Sequence, residues 1–168
     1  MKKSASILLL MLLLVVACSK TAQQDLSFSV LDQSSSFVEV SQPRQGAPSI
    51  IIIASQDEIT PPISEYRFSD EVVEKLNNIN FDNSFAILFS VGPIPENGII
   101  DNISREKDRV VIHVKNYTVG PGVYKLEGYS LPYQLISVEK SNKWDQEIEF
   151  SIVDENGNLI GKASHSIP

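Results

Sequence analysis

The residue whose chemistry is indicated most clearly by its setting is Cys18, the only cysteine in the chain. It follows a positively charged start, Lys2-Lys3, and an unbroken apolar run from Ile7 to Val16 that is too short to span a bilayer. Small or branched residues followed by cysteine at the end of such a run are typical of a bacterial lipoprotein signal, in which the cysteine is lipidated. The alternatives are an ordinary secretory signal that happens to contain a cysteine, and an uncleaved anchor.

Lipidation of Cys18 predicts attachment to a bacterial cell envelope. Two or more acyl chains on one residue make attachment stable, because each buried methylene contributes about 0.8 kcal/mol. Ser19, rather than aspartate, follows the cysteine, which favours sorting to the outer membrane in a cell with two membranes. We therefore expect a signal peptide at residues 1–17, a polar tether at 18–25, and a membrane contact made through the lipid.

Residue types that ligate metals are present but do not have the spacing of a metal site. His113 and His165 fall on predicted strands far apart in sequence, without a cysteine or a second histidine nearby. Asp154-x-Asn156-x-Asn158 resembles the start of a calcium loop, but its glycine is fourth rather than sixth and no glutamate stands at position twelve. We expect packed or edge histidines, a turn at 154–158, no metal and no cofactor.

Two serine–lysine pairs have the spacing of a known nucleophile motif. Ser104 and Lys107 fall in a predicted turn, and Ser137 and Lys140 fall on a predicted strand. On a strand, residues three apart point to opposite faces, so that second pair cannot hydrogen-bond as it would on a helix. Carboxylates are plentiful but scattered on polar faces. No catalytic residue is nominated, and we do not expect an enzyme.

The charge of the mature chain limits the classes of partner. The full sequence has 14 basic and 21 acidic residues. Removal of Lys2 and Lys3 with the signal leaves 12 basic residues and a net charge of −9 instead of −7. An acidic domain without a basic cluster is not expected to bind nucleic acid, nor to attach to anionic lipid by charge.

The element that organises the fold is the apolar run Phe85–Val91, which holds a single hydroxyl and lies between turn residues. Its length and composition predict a central strand that is buried on both faces. Ser34–Ser36 is expected to be a loop and Asn97-Gly98 a hairpin turn. Further strands are predicted at residues 26–30, 37–40, 50–54, 99–103, 109–117 and 131–138.

One helix is predicted after Pro61-Pro62. Ser69 is a suitable N-cap, and acidic residues in the first turn complement the helix dipole. Apolar residues then recur at helical spacing to about Asn78. Together with the strands, this predicts an α+β domain: a mostly antiparallel β-sheet with one amphipathic helix.

Residues 141–168 are predicted to form a C-terminal β-hairpin that packs on the same domain, which occupies residues 26–140. Asn156-Gly157 is expected to form a two-residue turn. The predicted pairs are Val153 with Ile160, Ser151 with Lys162, and Phe150 with Ala163. One face then collects Ile148, Phe150, Ile152, Leu159, Ala163 and His165. Trp144 falls in a polar linker before the hairpin.

Between Ile50 and Lys140 several features follow one another in a characteristic order. They are the strand at 50–54, Asn80-Phe81-Asp82, the central strand, the loop at 93–98, the alternating strand from Arg109, Gly120-Pro121-Gly122 and Leu131-Pro132-Tyr133. In this order they resemble the PrcB-like family, named for a lipoprotein that stabilises a surface protease complex. The resemblance covers a little over half of the mature chain. It implies an accessory binding role and brings no catalytic residues.

The expected function is therefore partner binding without catalysis. Candidate binding residues are Gly120, Pro121, Gly122, Tyr124, Tyr129 and Tyr133, where exposed tyrosines and open strand edges suit tyrosine-led contacts or strand addition. The expected partner is a protein, and the resemblance implies a surface protease complex. The alternative is a small-ligand or cell-wall glycan binder, whose mark would be an aromatic-lined pocket.

Overall fold

The computed structural model describes residues 23–38, 48–66, 68–91, 97–118, 129–141, 144 and 146–168. The strands are β1 (Gln24–Asp25), β2 (Phe28–Val38), β3 (Ser49–Ile53), β4 (Ser84–Ser90), β5 (Asn97–Glu106), β6 (Arg109–Thr118), β7 (Tyr129–Glu139), β8 (Gln146–Val153) and β9 (Leu159–Ile167). A 3₁₀ turn at Gln56–Glu58 and the helices α1 (Thr60–Tyr66) and α2 (Asp70–Asn77) lie between β3 and β4.

The described strands form two sheets. One has the order β1-β5-β6-β8-β9 and the other has the order β2-β7-β4-β3. Neighbouring strands are antiparallel except β6 and β8, which are parallel. The prediction of a mostly antiparallel α+β fold is confirmed.

Strand β4 is the central element that the sequence predicts. It lies between β7 and β3, and Phe85 to Ser90 are all buried. Its odd-numbered residues pack between the two sheets, while Ala86 and Leu88 pack under the helices. The molecule therefore has three layers: the five-stranded sheet, the four-stranded sheet and the helices. A strand in the middle layer is buried on both faces, which explains why β4 is apolar from Phe85 to Phe89.

The predicted helix is confirmed as α2, and a second helix precedes it. The Ser69 side chain accepts a hydrogen bond from the Val72 amide, as expected of an N-cap. Val72 and Leu76 are buried against the four-stranded sheet. Pro61 and Pro62 lie within the first turn of α1 rather than marking only a break. Proline is tolerated there because the first amides of a helix have no partner within it.

Two predicted turns are strands in the structure. Ser34–Ser36 lies inside β2, which pairs with β7 from Phe28 to Val38. Asn97-Gly98 begins β5, and Asn97 pairs with Thr118. In both places pairing with a neighbouring strand overrides a local composition that favours turns.

The C-terminal hairpin has the predicted register at its base but a longer turn. Ser151 pairs with Lys162 and Phe150 with Ala163, whereas Val153 pairs with Leu159 instead of Ile160. The turn runs from Asp154 to Asn158, where an Asp154 carboxylate oxygen accepts the Asn156 and Asn158 amides. Gly157 has φ +79°, the left-handed conformation that glycine adopts easily.

The longer turn also changes which hairpin residues face the core. A register irregularity between Ile152 and Val153 leaves Leu159 exposed, so its predicted place on the buried face is wrong. Ile148, Phe150 and Ile152 are fully buried. Strand β8 lies between β6 and β9, so the hairpin supplies two strands of the five-stranded sheet.

Trp144 belongs to the core although it falls in a polar stretch of sequence. Its ring lies 5.3 Å from that of Phe85, and the Arg105 guanidinium lies 4.1 Å from its ring centre. Burial lowers the pKa of Arg105. The guanidinium therefore stacks over the indole ring in a cation–π contact.

Candidate functional site

The predicted binding residues do not come together as one described site. Gly120, Pro121, Gly122 and Tyr124 lie outside the described residues, as does the predicted lipidation site, Cys18. Tyr129 begins β7, where it pairs with Val38 of β2.

Tyr133 is not the exposed contact residue that we expected. It is 7% exposed, its hydroxyl donates a hydrogen bond to the Asp32 carboxylate at 2.5 Å, and its ring packs edge-on against Phe68 at 5.3 Å. The reason is its position: β7 is an inner strand, and the helical layer covers this face of the sheet. The Tyr133 hydroxyl therefore links β7 to β2 through Asp32, and its side chain is not an exposed binding surface.

The two long sides of the sandwich differ, and the first is defined by β3 and β9. Glu58 of the 3₁₀ turn bridges this β3–β9 side, because one carboxylate oxygen accepts the Ala54 amide at 2.7 Å and lies 3.1 Å from His165 Nε2. Farther along, Gly161 is packed so closely that an added Cβ would lie 3.3 Å from the Pro48 carbonyl oxygen. Contacts between the sheets therefore close this side.

The second side, the β2–β5 side, contains the long edge strand β2. Within the part of the chain that the structure describes, no strand pairs with the outer edge of β2 along Phe28–Val38. One contact on β2 comes from α2, where Lys75 Nζ donates to the Leu31 carbonyl oxygen at 3.1 Å. Lys75 also pairs with Glu71 at 2.8 Å, and that hydrogen bond raises the pKa of the lysine. The Lys75 ammonium group thus occupies one backbone carbonyl oxygen of β2, at Leu31.

A β-bulge at Leu31 lies at that same point. The register with β7 shifts between Val30 and Asp32. Leu31 packs against the helical layer, and Asp32 binds Tyr133 on the same side. Val30 is 50% exposed and pairs with Ile136, which packs between the sheets. Bulges and lysines are the devices by which proteins limit pairing at an edge, and here they act near Leu31.

On the other sheet, the edge of β5 is covered by β1 along one part and by a side chain of the four-stranded sheet along another. Strand β1 pairs with Ser104 and Arg105, and the Leu26 amide that follows it donates to the Ile103 carbonyl oxygen at 2.8 Å. Higher on the same edge, the buried side chain of Gln134 in β7 accepts the Ile100 amide at 2.7 Å. Because an unpaired buried amide costs about 1–3 kcal/mol, this side chain substitutes for a missing neighbouring strand. Gln134 makes this contact from the inner strand β7, so the contact does not involve the edge strand β2.

Two open clefts on the five-stranded sheet are polar. The larger, about 580 Å³, is lined by Asp101, Asn102, His113, Val114, Lys115, Asp154, Glu155, Asn156 and Gly157. The smaller, about 350 Å³, is lined by Glu106, Lys107, Asp108, Arg109 and Glu149. Hydrogen bonding to Asn158 lowers the pKa of Asp154, so its oxygens already serve the turn. In the residues described, no group of three potential ligands is placed to hold a metal ion.

The serine–lysine pairs are occupied by structural contacts. Ser104 is buried and accepts a hydrogen bond from Gln23 Nε2 at 3.0 Å, while Lys107 lies in the β5–β6 turn with φ 59°. Lys140 Nζ donates to the Phe81 carbonyl oxygen at 2.6 Å. These lysines therefore bind backbone or lie in a turn, and Ser137 is a strand residue paired with Ala86.

Sequence reasoning missed the β2 edge because it divided β2 into two short strands. The available signal was the absence of glycine and proline from Phe28 to Val38, which favours a continuous strand over a loop at the serines. None of the helices in the described ranges is long and apolar enough to cross a membrane. The chain matches no protein-family model, no curated protein and no solved structure.

Proposed function

We propose that this chain is a non-enzymatic lipoprotein of the bacterial envelope that binds and stabilises a partner protein through the outer edge of β2. The observation that carries the proposal is this edge, an 11-residue strand that is paired on its inner side and has no outer neighbour among the described strands. Strand addition obtains affinity from main-chain hydrogen bonds and specificity from alternate side chains. Both are available along such an edge.

The covering of the edge at Leu31 supports a restricted binding register. Lys75 occupies the Leu31 carbonyl oxygen, and the bulge interrupts regular pairing there. An added strand therefore pairs with β2 on the C-terminal side of the bulge, from Asp32 to Val38, and its end at the bulge lies beside Val30. Val30 lies immediately before the bulge and offers the exposed apolar contact on this side.

The class of partner and the anchoring extend this proposal. A surface protease complex is the partner that the PrcB-like resemblance implies, and Cys18 is the proposed lipid attachment in the outer membrane. On this view the chain stabilises the complex by ordering an extended segment of its partner. Any ligand that binds only the ordered state of the partner shifts the equilibrium toward that state by mass action.

A matched pair of variants tests the edge. Val30→Lys and Leu159→Lys each replace a half-exposed apolar residue, 50% and 53% exposed, on opposite sides of the sandwich. The full-length proteins are crosslinked in intact cells and recovered from membranes. We expect wild type and Leu159→Lys to recover the same stoichiometric protein, and Val30→Lys to lose about tenfold in affinity, equivalent to about 1.4 kcal/mol.

Two results contradict the proposal. One is the absence of any stoichiometric protein from the wild-type sample. The other is equal recovery with both lysine variants, which means that the partner does not use the β2 edge.

The alternative, a glycan or small-ligand binder, would use a pocket with aromatic walls. The larger described cleft is instead lined mostly by charged and amide residues, together with His113, Val114 and Gly157, which favours partner binding. A thermal-shift screen with envelope glycans and metal ions separates the two functions, because only the alternative predicts an increase in Tm.

A further inference from the structure

The N-terminal chain enters the domain at one end of the sandwich. Gln24 and Asp25 pair with Arg105 and Ser104, close to the β5–β6 turn at Lys107-Asp108. Gln23 is already held there by its hydrogen bond to Ser104. The predicted tether at 18–25 is therefore shorter than expected, because its last residues belong to the fold.

Other chain segments converge on this end, which we call the tether end. It comprises Gln23, the Lys107-Asp108 turn, Ser141 and Pro168. Ser141 Oγ hydrogen-bonds Gln24 Oε1 at 3.3 Å, and Lys140 Nζ donates to the Pro168 carbonyl oxygen at 3.0 Å. The ends of β5, β7 and β9 and the starts of β6 and β8 meet here.

The opposite end of the sandwich, which we call the distal end, lies one strand length away. Strand β6 has ten residues from Arg109 to Thr118, or about 30 Å at roughly 3.3 Å per residue. The tip of the β8–β9 hairpin reaches toward this end, because Glu155 accepts a hydrogen bond from the Asn116 amide near the end of β6.

The free tether is shorter than the domain. Five residue steps separate Cys18 from Gln23, and a fully extended chain spans at most about 3.6 Å per step, or about 18 Å in total. With the lipid in the bilayer, the tether end stays within that distance of the headgroups. A domain standing on its distal end would hold the tether end about 30 Å from the bilayer, which the tether cannot reach.

We infer that the tether end is a bilayer-facing surface that lies against lipid headgroups. The inference rests on the lipid anchor in the proposed function. Basic and acidic residues alternate at this end, as in the Glu106-Lys107-Asp108-Arg109 turn, so tether length rather than charge holds the orientation. Strand β2 then stands upright, with Phe28 near the membrane and Val38 away from it, and its open edge faces sideways toward a partner in the same membrane.

Position-dependent quenching tests this orientation. Asp108→Cys places a thiol at the tether end, and Asn156→Cys places one at the exposed hairpin tip as the matched control. Because the sulfur of lipidated Cys18 is blocked, each introduced cysteine is the only free thiol. The full lipoprotein is labelled with a fluorophore and reconstituted in phosphatidylcholine vesicles that contain a headgroup spin-labelled lipid. We expect several-fold stronger quenching at residue 108 than at 156.

A lengthened tether is the second arm of the experiment. Insertion of 20 Gly/Ser residues after Ser19 allows a reach of about 90 Å, and we expect the difference between the two labels to disappear. Replacing a fifth of the lipid by phosphatidylglycerol is expected to leave the quenching pattern of the native tether unchanged.

The outcomes separate this inference from the anchor on which it rests. Vesicle flotation is measured on the same samples. Protein that does not float overturns the anchor and the orientation together. Protein that floats but is quenched equally at both labels, or more at residue 156, overturns the orientation alone. A pattern that depends on the anionic lipid overturns the claim that tether length sets it.

Discussion

On the β3–β9 side, a carboxylate outside both sheets joins them, because Glu58 contacts the Ala54 amide and His165. On the β2–β5 side, the described link between the sheets comes from Gln134, which lies on an inner strand and contacts Ile100 behind β2. The Glu58 contacts lie across the edges of the two sheets. The Gln134 contact lies between the sheets and does not cover the outer edge of β2. The difference shows that the described residues can pack between the two sheets on this side without a contact at the outer edge of β2.

The features that limit strand pairing lie on the β2–β5 side, where the edge strand β2 needs them. A bulge at Leu31 and a lysine from α2 interrupt the described edge at the fourth of its eleven residues. Uncontrolled pairing along a long flat edge leads to aggregation. An interruption at this point shortens the available strand without removing it, which suits the proposed pairing with one partner in one register.

Removal of Phe85 is expected to have the largest effect, because both sides share the core that it fills. Phe85 is fully buried and packs against Trp144 and Phe150. We expect Phe85→Ala to lower the free energy of unfolding by about 3–5 kcal/mol. Urea denaturation followed by the fluorescence of the single tryptophan measures it, with the edge variant Val30→Ala as the control. A loss equal to that of the control would mean that the two sides do not share this core.

Gly161→Val tests the closure of the β3–β9 side. An added Cβ would meet the Ile152 side chain at 3.0 Å and the Pro48 carbonyl oxygen at 3.3 Å, so valine must push β9 away from β3. We expect a loss of about 1–3 kcal/mol. Ser164→Val, at an exposed position of the same strand, should change stability by less than about 0.5 kcal/mol. Equal effects of the two variants would contradict close packing at Gly161.

Gln134→Leu tests the substitution of a side chain for a strand on the β2–β5 side. Leucine leaves the Ile100 amide without its acceptor, and we expect a loss of about 1 kcal/mol, the low end for an unpaired buried group. Hydrogen exchange at Ile100 should accelerate more than at Val110. Gln33→Leu, on the exposed part of β2, is the control. Unchanged exchange at Ile100 would show that water or another group replaces the glutamine.

The smallest predicted effect is a loosening of the β8–β9 hairpin in acid. Hydrogen bonds from Asn158 lower the pKa of Asp154 below its usual 3.8, and Lys162 lowers that of Glu149 below 4.5. A folded-state pKa below the unfolded value stabilises the fold above the unfolded pKa, and that stability is lost as pH falls through the folded pKa. Amide exchange in β9, corrected for intrinsic rates, should therefore rise below about pH 4. Asp154→Asn should reduce this dependence, and an unaltered profile would contradict it.

The elements that local pattern predicts well are those with one strong physical cause. Strand β4 follows from an apolar run that only a doubly buried strand satisfies, and α2 follows from the Ser69 cap and its apolar face. The divided β2 and the misplaced Leu159 fail for a different reason. Their outcome depends on β7 and on a five-residue turn whose hydrogen bonds come from Asp154. The sequence therefore predicted that an open strand edge would be present, but it did not identify β2 as that edge.

By itself, the sequence determined the mostly antiparallel α+β class, the central strand and the capped helix, because these depend on burial and hydrogen bonding within a few residues. Only the tertiary structure decided that Tyr133 is buried, that Trp144 belongs to the core and that β2 is the edge strand of its sheet among the described strands. Each of these depends on which strand lies beside which, a choice made by packing between residues as far apart as Asp32 and Tyr133. Local periodicity carries no information about such neighbours.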